Sequence, residues 1–247
     1  MRRDPIQHLW TPRVAVPDLC DGEAHLWSAS LTARDFELEQ MRAVLSHDER
    51  LRSERSPLIE ERNRFAVGRG LLRHVLASYL QVDAPQIQFA YGHAGKPYLV
   101  DNPRNIHFNI SHSGDIALIA ITRAREIGVD VEKICDMPEM EDIVSRFFSD
   151  AAKAQFQSVP VADRVGTFFK CWTEREAVSK CTGDGIAEDT PSSVEGISVA
   201  PLFPAIGYVG AFAITGSAVK LRTWRWAQSA NPVGTERFTP AATGVFL

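Results

Sequence analysis

Residues 106–134 constrain the fold more than any other part of the chain. "IHFNISHSGDIALIAIT" (106–122) reads as two β-strands about a turn at Ser113–Gly114. "IGVDVEKI" (127–134) reads as a third, after the polar "RARE". Three strand runs in succession with turn signals between them require a sheet. Side chains alternate faces along a strand. In the third run Ile127, Val129 and Val131 therefore point one way, and Gly128, Asp130 and Glu132 the other. The plainer account is a half-exposed strand whose acids lie in water. The sharper account is a hard-cation site. Two carboxylates on one face, beside a glycine that leaves room, offer oxygen ligands to Mg²⁺ and leave positions for water and phosphate oxygens. That account requires further phosphate chemistry in the chain.

The rest of the chain supplies helices and a few more strands. "EAHLWSASL" (23–31) alternates as a strand does. Residues 36–55 read as helical, with Ser46 as an N-cap and Glu49 completing a capping box. Residues 61–80 form the clearest helix, with good formers and an apolar stripe. "GHAGKPYLVDNP" (92–103) reads as a loop. Helices are expected over 139–157 and 162–182, and strands over 208–215 and 219–226. Residues 1–22 are Pro-rich and irregular, and the last twenty or so look loop-like. Each half holds helices and strands in similar proportion, divided by the polar stretch Arg123 to Glu126. The expected fold is α+β, with two subdomains over 1–124 and 125–247 and no close sequence repeat.

Composition removes several classes. The 247 residues are 45% hydrophobic, enough for a sizeable core, and a formal net charge of −4 gives no support to bulk nucleic-acid binding. Four cysteines at 20, 135, 171 and 181 form neither a C-x-x-C pair nor a zinc-finger spacing, and read as reduced thiols of a cytoplasmic protein. The first residues, "MRRDPIQHLWTPRVAVP", lack the apolar run of a signal peptide, and no stretch reaches membrane-spanning length.

Four segments carry candidate chemistry. On the 61–80 helix, Phe65, Gly68, Leu72, Val75, Leu76 and Tyr79 share one side. Arg62, Arg69 and Arg73 share another edge, where solvation accounts for them. Arg64 projects near Leu71 and Val75, inside the apolar arc, and an inward arginine needs a partner such as phosphate unless it snorkels out of the first turn. "GHAGKP" is not a Walker A loop, since the spacing is short and Pro97 stands where Ser or Thr would bind Mg²⁺. Its Lys96 could still meet a nucleotide. "NISHSGD" holds Ser111, His112 and Ser113 but no nucleophile elbow. His112 reads either as a phosphate donor or as a satisfied turn histidine. In "FFKCWTEREAVSKCTGDGI" (168–186), Trp172, Glu176 and Lys180 fall at i, i+4 and i+8 on one helical stripe. Glu176 and Lys180 are either an ordinary surface pair or a third carboxylate with a lysine to offset phosphoryl charge.

The order of these segments resembles the Sfp-type 4′-phosphopantetheinyl transferases. "GKPYLVDNPRNIHFNISHSGD", "IGVDVEKI", "RFFS" (146–149) and "WTEREAVSK" (172–180) carry the resemblance, which extends over roughly residues 45–200. It implies two α+β halves in a pseudo-twofold arrangement, with coenzyme A and Mg²⁺, or Mn²⁺ in its place, between them. The implied reaction moves 4′-phosphopantetheine from coenzyme A to a serine of an apo acyl or peptidyl carrier protein and releases 3′,5′-ADP. Asp130, Glu132 and Glu176 would hold the metal. Lys180 would offset phosphate charge, and Glu176 or a metal-bound water would take the serine proton. Arg64 and His112 would grip coenzyme A phosphates, Lys96 and Ser111 would lie near the adenosine end, and Arg52 and Arg55 near the 3′-phosphate. A fold that makes its own cleft implies a monomer. Two positions depart from the family pattern: Arg175 stands where lysine is usual, and Ser56–Pro57 where an aromatic is usual, with Pro57 expected to break the helix there. The competing readings are another Mg²⁺-dependent phosphohydrolase and a non-catalytic module that binds coenzyme A or the carrier. The first accounts for the acids but not the ordered motifs, and the second leaves four intact catalytic-type residues without use.

Overall fold

The structure, a computed structural model, describes residues 10–13, 15–185, 194–217, 219–227 and 245–246. It is an α+β protein built on two sheets. The first has the order β1 (Thr11–Arg13), β10 (Lys220–Trp226), β2 (Glu23–Ser30), β6 (Ile116–Arg123), β5 (Ile106–Ser113), with β11 (Val245–Phe246) also on β10. The second is antiparallel, in the order β7 (Ile127–Lys133), β9 (Tyr208–Thr215), β8 (Ile197–Leu202). A separate hairpin pairs β3 (Phe89–Tyr91) with β4 (Pro97–Leu99). β10 lies late in the chain yet runs parallel to β2 inside the first sheet.

Helices cover each sheet. α3 (Ile59–Leu80) lays Leu71, Leu72, Val75 and Leu76 on Trp27, Phe108, Ile119 and Ile121. α6 (Arg164–Thr182) packs Ala177, Val178 and Cys181 on Ala211 and Ala213. The opposite faces of the sheets pack on one another, with Leu26, Leu118 and Ala120 against Ile127, Val129, Val131 and Phe212. Thus both faces of β7 are covered, and Asp130 is 2% exposed. The account that left its acids in water does not hold for Asp130, while Glu132 is partly buried.

Four sequence expectations are revised here. Residues 36–55 are two helices, α1 (Asp35–Ala43) and α2 (His47–Ser53), with the Ser46–Glu49 capping box opening the second. The span 139–157 is also broken, into α4 (Met140–Phe147) and α5 (Asp150–Ser158), where Phe148 turns extended and Ser149 caps the restart. The segment 92–103 is not all loop, because β4 pairs with β3. β8 was not expected at all. The final residues, apart from 245–246, lie outside the described set.

Arg69 and Arg73 reverse the solvated-edge reading. They are 9% and 2% exposed, and their Nε atoms donate to the two oxygens of Glu49 at 2.6 Å each. Arg73 also donates to the carbonyls of Ala84 and Ile87. A capping-box glutamate thereby fixes α2 to α3.

Gly128 was expected to leave room for a cation. The room is taken by α6. A Cβ built at Gly128 would lie 2.1 Å from Ala177 O and 2.4 Å from Cys181 N. Only glycine permits this approach of backbone to backbone, and the approach brings the α6 side chains down to β7. We expect Gly128→Ala to cost about 3 kcal/mol, the upper end for overpacking, in urea unfolding. A loss under about 0.5 kcal/mol, within the range of neutral surface changes, would show that the close approach is not needed.

Candidate active site

The candidate chemistry gathers where β5, β7 and α6 meet. Asp130 projects from β7 toward α6, and Lys180 comes down one helical turn after Glu176. Lys180 Nζ donates to Asp130 Oδ1 at 2.6 Å and to Ser111 Oγ at 3.0 Å, and lies 3.9 Å from Glu176 Oε2. Ser111 Oγ donates to Asp130 Oδ1 at 2.8 Å. So the Glu176–Lys180 pair exists, but Lys180 is also tied to a buried carboxylate on the opposing strand. Asp130 Oδ2 is buried with no hydrogen-bonding partner.

Burial raises all three acids, and neighbouring carboxylates add to the shift of Glu132 and Glu176. Burial pushes Glu176 up to about 7, with the charges of Asp130 and Glu132 adding and Lys180 opposing. Burial likewise raises Asp130, against Lys180 and the Ser111 hydroxyl. Glu132 is raised by burial, with Asp130 adding. One lysine faces three carboxylates, which leaves an excess of negative charge and an all-oxygen donor set. Among the described residues, no three His, Cys, Asp or Glu side chains converge as a metal-ligand group. The donors and the orphaned Oδ2 suit a hard divalent cation in chemistry and charge.

Two pockets flank this centre along β5. One, of about 480 Å³, is lined by Arg52, Arg55, Arg64, Phe65, His112 and neighbours. It therefore unites the four basic residues expected near phosphates. The helix break at Pro57 is present, since α2 ends at Ser53 and α3 begins at Ile59. Arg52 nevertheless reaches the pocket, its guanidinium 5.6 Å from the Phe65 ring centre. Arg64 is not inside the apolar arc. It is 38% exposed and its Nε donates to Asp115 Oδ1 at 2.9 Å. Desolvation lowers the His112 pKa, and the Lys180 and Arg64 charges lower it further. The second pocket, of about 280 Å³, is lined by Lys96, Pro97, Asn109, Ile110, Glu176, Lys180 and glycines of two loops. Lys96 Nζ donates to Glu126 Oε2 at 2.7 Å and to Cys181 O at 3.1 Å. Ser111 sits between the pockets, at the Asp130–Lys180 contact.

Comparison with known proteins decides the family. A 4′-phosphopantetheinyl transferase N-terminal model matches residues 27–124, and a 4′-phosphopantetheinyl transferase superfamily model matches residues 126–228. The chain is similar to the 4′-phosphopantetheinyl transferase HetI of a Nostoc species, 35% identical over 90% of this chain and 100% of that protein. It belongs to the 4′-phosphopantetheinyl transferase family. The 4′-phosphopantetheinyl transferase Sfp of Bacillus subtilis is 30% identical over 61% of this chain and 66% of its own length. AcpT of Escherichia coli, also a 4′-phosphopantetheinyl transferase, is 30% identical over 53% and 63%. The chain is thus an enzyme that transfers phosphopantetheine to carrier proteins.

In this transferase, several residues around the site carry no signal of their own in the sequence. Asp115 pairs with Arg64, and Glu126 pairs with both Lys96 and His107. The bonds from His107 and Lys96 hold the Glu126 carboxyl down to about 2 against its burial. Ser113 stands in the sequence only as part of a motif, yet its hydroxyl donates to Glu132. The period-two pattern Asn109, Ser111, Ser113 on one strand face carried that signal. Arg175, the departure from the usual lysine, is 2% exposed with its guanidinium 5.6 Å from the Phe147 ring centre. It lies on the α4 side of α6. Among the described residues no helix is long and apolar enough to cross a membrane.

Proposed function

We propose that this enzyme takes 4′-phosphopantetheine from coenzyme A in a Mg²⁺-dependent reaction and attaches it to the serine of an apo acyl or peptidyl carrier protein. The observation that supports this most is the meeting of Glu176, Lys180, Asp130 and Ser111 between two pockets, one of them lined with arginines. Arg64, Arg52, Arg55 and His112 bind coenzyme A phosphates in the larger pocket, where guanidinium forks match phosphate geometry. Ser111, next to His112, serves the adenosine end that bears the 3′-phosphate, and Lys96 lines the second pocket beside Glu176 and Lys180. Glu176 accepts the proton of the carrier serine, whose hydroxyl is a weak nucleophile until deprotonated. The serine oxygen forms a bond to the phosphorus that bears pantetheine, and the bond from that phosphorus to the 3′,5′-ADP oxygen breaks. Lys180 Nζ offsets charge on the departing phosphate.

Asp130, Glu132 and Glu176 are the residues that would hold Mg²⁺, with Mn²⁺ as an alternative. A divalent ion held by them offsets the diphosphate charge that otherwise repels the nucleophile. Division of labour over 1–124 and 125–247 follows, with the phosphate-binding arginines in the first half and the carboxylates in the second. Both pockets are built from one chain, which supports a monomer. Four free cysteines support the reading of a reducing, cytoplasmic setting.

The test is the intact mass of an apo carrier protein incubated with the enzyme, coenzyme A and Mg²⁺. A gain of one phosphopantetheine group, abolished by EDTA, is expected. Breakdown of coenzyme A with every carrier left unmodified would overturn the reading. Arg64→Ala should raise the KM for coenzyme A about tenfold to a hundredfold, the size of one or two charged hydrogen bonds, with kcat nearly kept. A lowered kcat with unchanged KM would remove Arg64 from phosphate binding.

A further inference from the structure

The two halves of the molecule meet along β5 and β7, and every second residue of β5 reaches across. Asn109 Oδ1 accepts from the Val129 N–H at 2.9 Å. Ser111 Oγ donates to Asp130 Oδ1 at 2.8 Å. Ser113 Oγ donates to Glu132 Oε2 at 2.7 Å and accepts from the Lys133 N–H at 3.0 Å. We infer that Ser111 and Ser113 are positioning residues that hold the two β7 carboxylates, one hydroxyl to each, for cation binding. This rests on the Mg²⁺-dependent reading above.

The direction of each hydroxyl is set. The Ser113 oxygen accepts a backbone N–H, so its proton is left to face Glu132. The Ser111 oxygen accepts from the Lys180 ammonium, so its proton faces Asp130. Both Ser111 and Lys180 bond the same oxygen, Oδ1. That leaves Oδ2, buried and without a partner, as the atom offered to an ion. Partners of this kind fix the rotamer and basicity of a ligating carboxylate, and their loss weakens metal binding by about 10–100-fold. The donors belong to the first half and the carboxylates to the second. A cation site held in this way reaches full affinity only while the halves are docked.

Mn²⁺ titration followed by electron paramagnetic resonance, with coenzyme A present, tests the inference without reading turnover. Ser113→Ala should weaken Mn²⁺ binding about tenfold or more. Ser113→Thr, which keeps the hydroxyl, should restore most of it. Ser111→Ala gives a second reading, titrated both with and without coenzyme A because this serine also borders the coenzyme A site, and circular dichroism confirms that each variant folds. Asp130→Asn separates the two levels of the argument. If it abolishes Mn²⁺ binding while both alanine variants bind like the wild type, the serines are not positioning residues and the cation site stands. If Asp130→Asn also binds like the wild type, the cation reading fails and the inference with it.

Discussion

Glu176→Gln should lower kcat by about 10²–10⁴-fold, the usual contribution of a positioned general base, while sparing the KM for coenzyme A. Glutamine keeps the shape of the side chain but cannot take the carrier serine proton. The arginines proposed to bind phosphate lie in the other half and are untouched. The same substitution changes the response to pH. In metal-free protein the Glu176 carboxyl sits near 7, against an ordinary value of 4.5. Between those values the folded state holds a proton that the unfolded state has lost. The Glu176 contribution to stability is therefore full below about 4.5 and declines as pH rises through 7. Glutamine has no such proton, so the variant should lose less stability over that window and exceed the wild type at pH 8 in chelated buffer. Asp130 and Glu132 are also raised, so a smaller decline remains. Urea unfolding at pH 5 and pH 8 measures it. An intact kcat would remove Glu176 as the base, and a wild-type pH slope in the variant would remove its raised carboxyl.

Glu49→Ala should lower stability by about 3–5 kcal/mol, the cost of leaving a buried charge without its partner. Two buried guanidinium groups share this one carboxylate as their ionic partner. Burial alone would raise the Glu49 pKa, but the Arg73 bond, the Ser46 amide and the charges of Arg69 and Arg73 outweigh it and hold the value low. Glu49 also accepts from Ser46 N at 2.8 Å, so alanine removes a helix cap as well. α2 carries Arg52 into the arginine-lined pocket, so on the proposed function the variant should also bind coenzyme A more weakly. Glu49→Gln, which keeps an acceptor, should fall between. A loss under about 1 kcal/mol, the ceiling typical of exposed pairs, would mean that Arg69 and Arg73 find other partners at no cost.

Local signals were legible where one segment decides its own structure. The three strands of 106–134, the long helix ending at Leu80 and the Ser46–Glu49 cap all follow from period and capping chemistry. Glu176 and Lys180 were placed on one stripe because helical spacing is fixed. What escaped depends on partners distant in the chain. Arg69 and Arg73 lie on a polar edge of their helix, and only the arrival of Glu49 from α2 makes that edge an interior. Gly128 was assigned space for an ion because nothing in eight residues announces a helix backbone fifty positions later. β8 has weak alternation around Pro201 and is organised by β9. Arg64 was turned inward by the wheel, yet Asp115, at a turn of the sheet, draws it outward.

The placement of β10 bears on how the molecule is made. Residues 220–226 fill the gap between β1 and β2. During synthesis, a ribosome that has completed β6 leaves β2 with one bare edge, and that edge stays open while the whole second half emerges. Contacts of such long sequence separation are slow to close, and an open strand edge in a nascent chain is a site for wrong pairing. A gene split at the boundary between residues 124 and 125 would therefore not yield two self-sufficient pieces. The first fragment would lack a strand from the interior of its own sheet, and would have to recover it from the second.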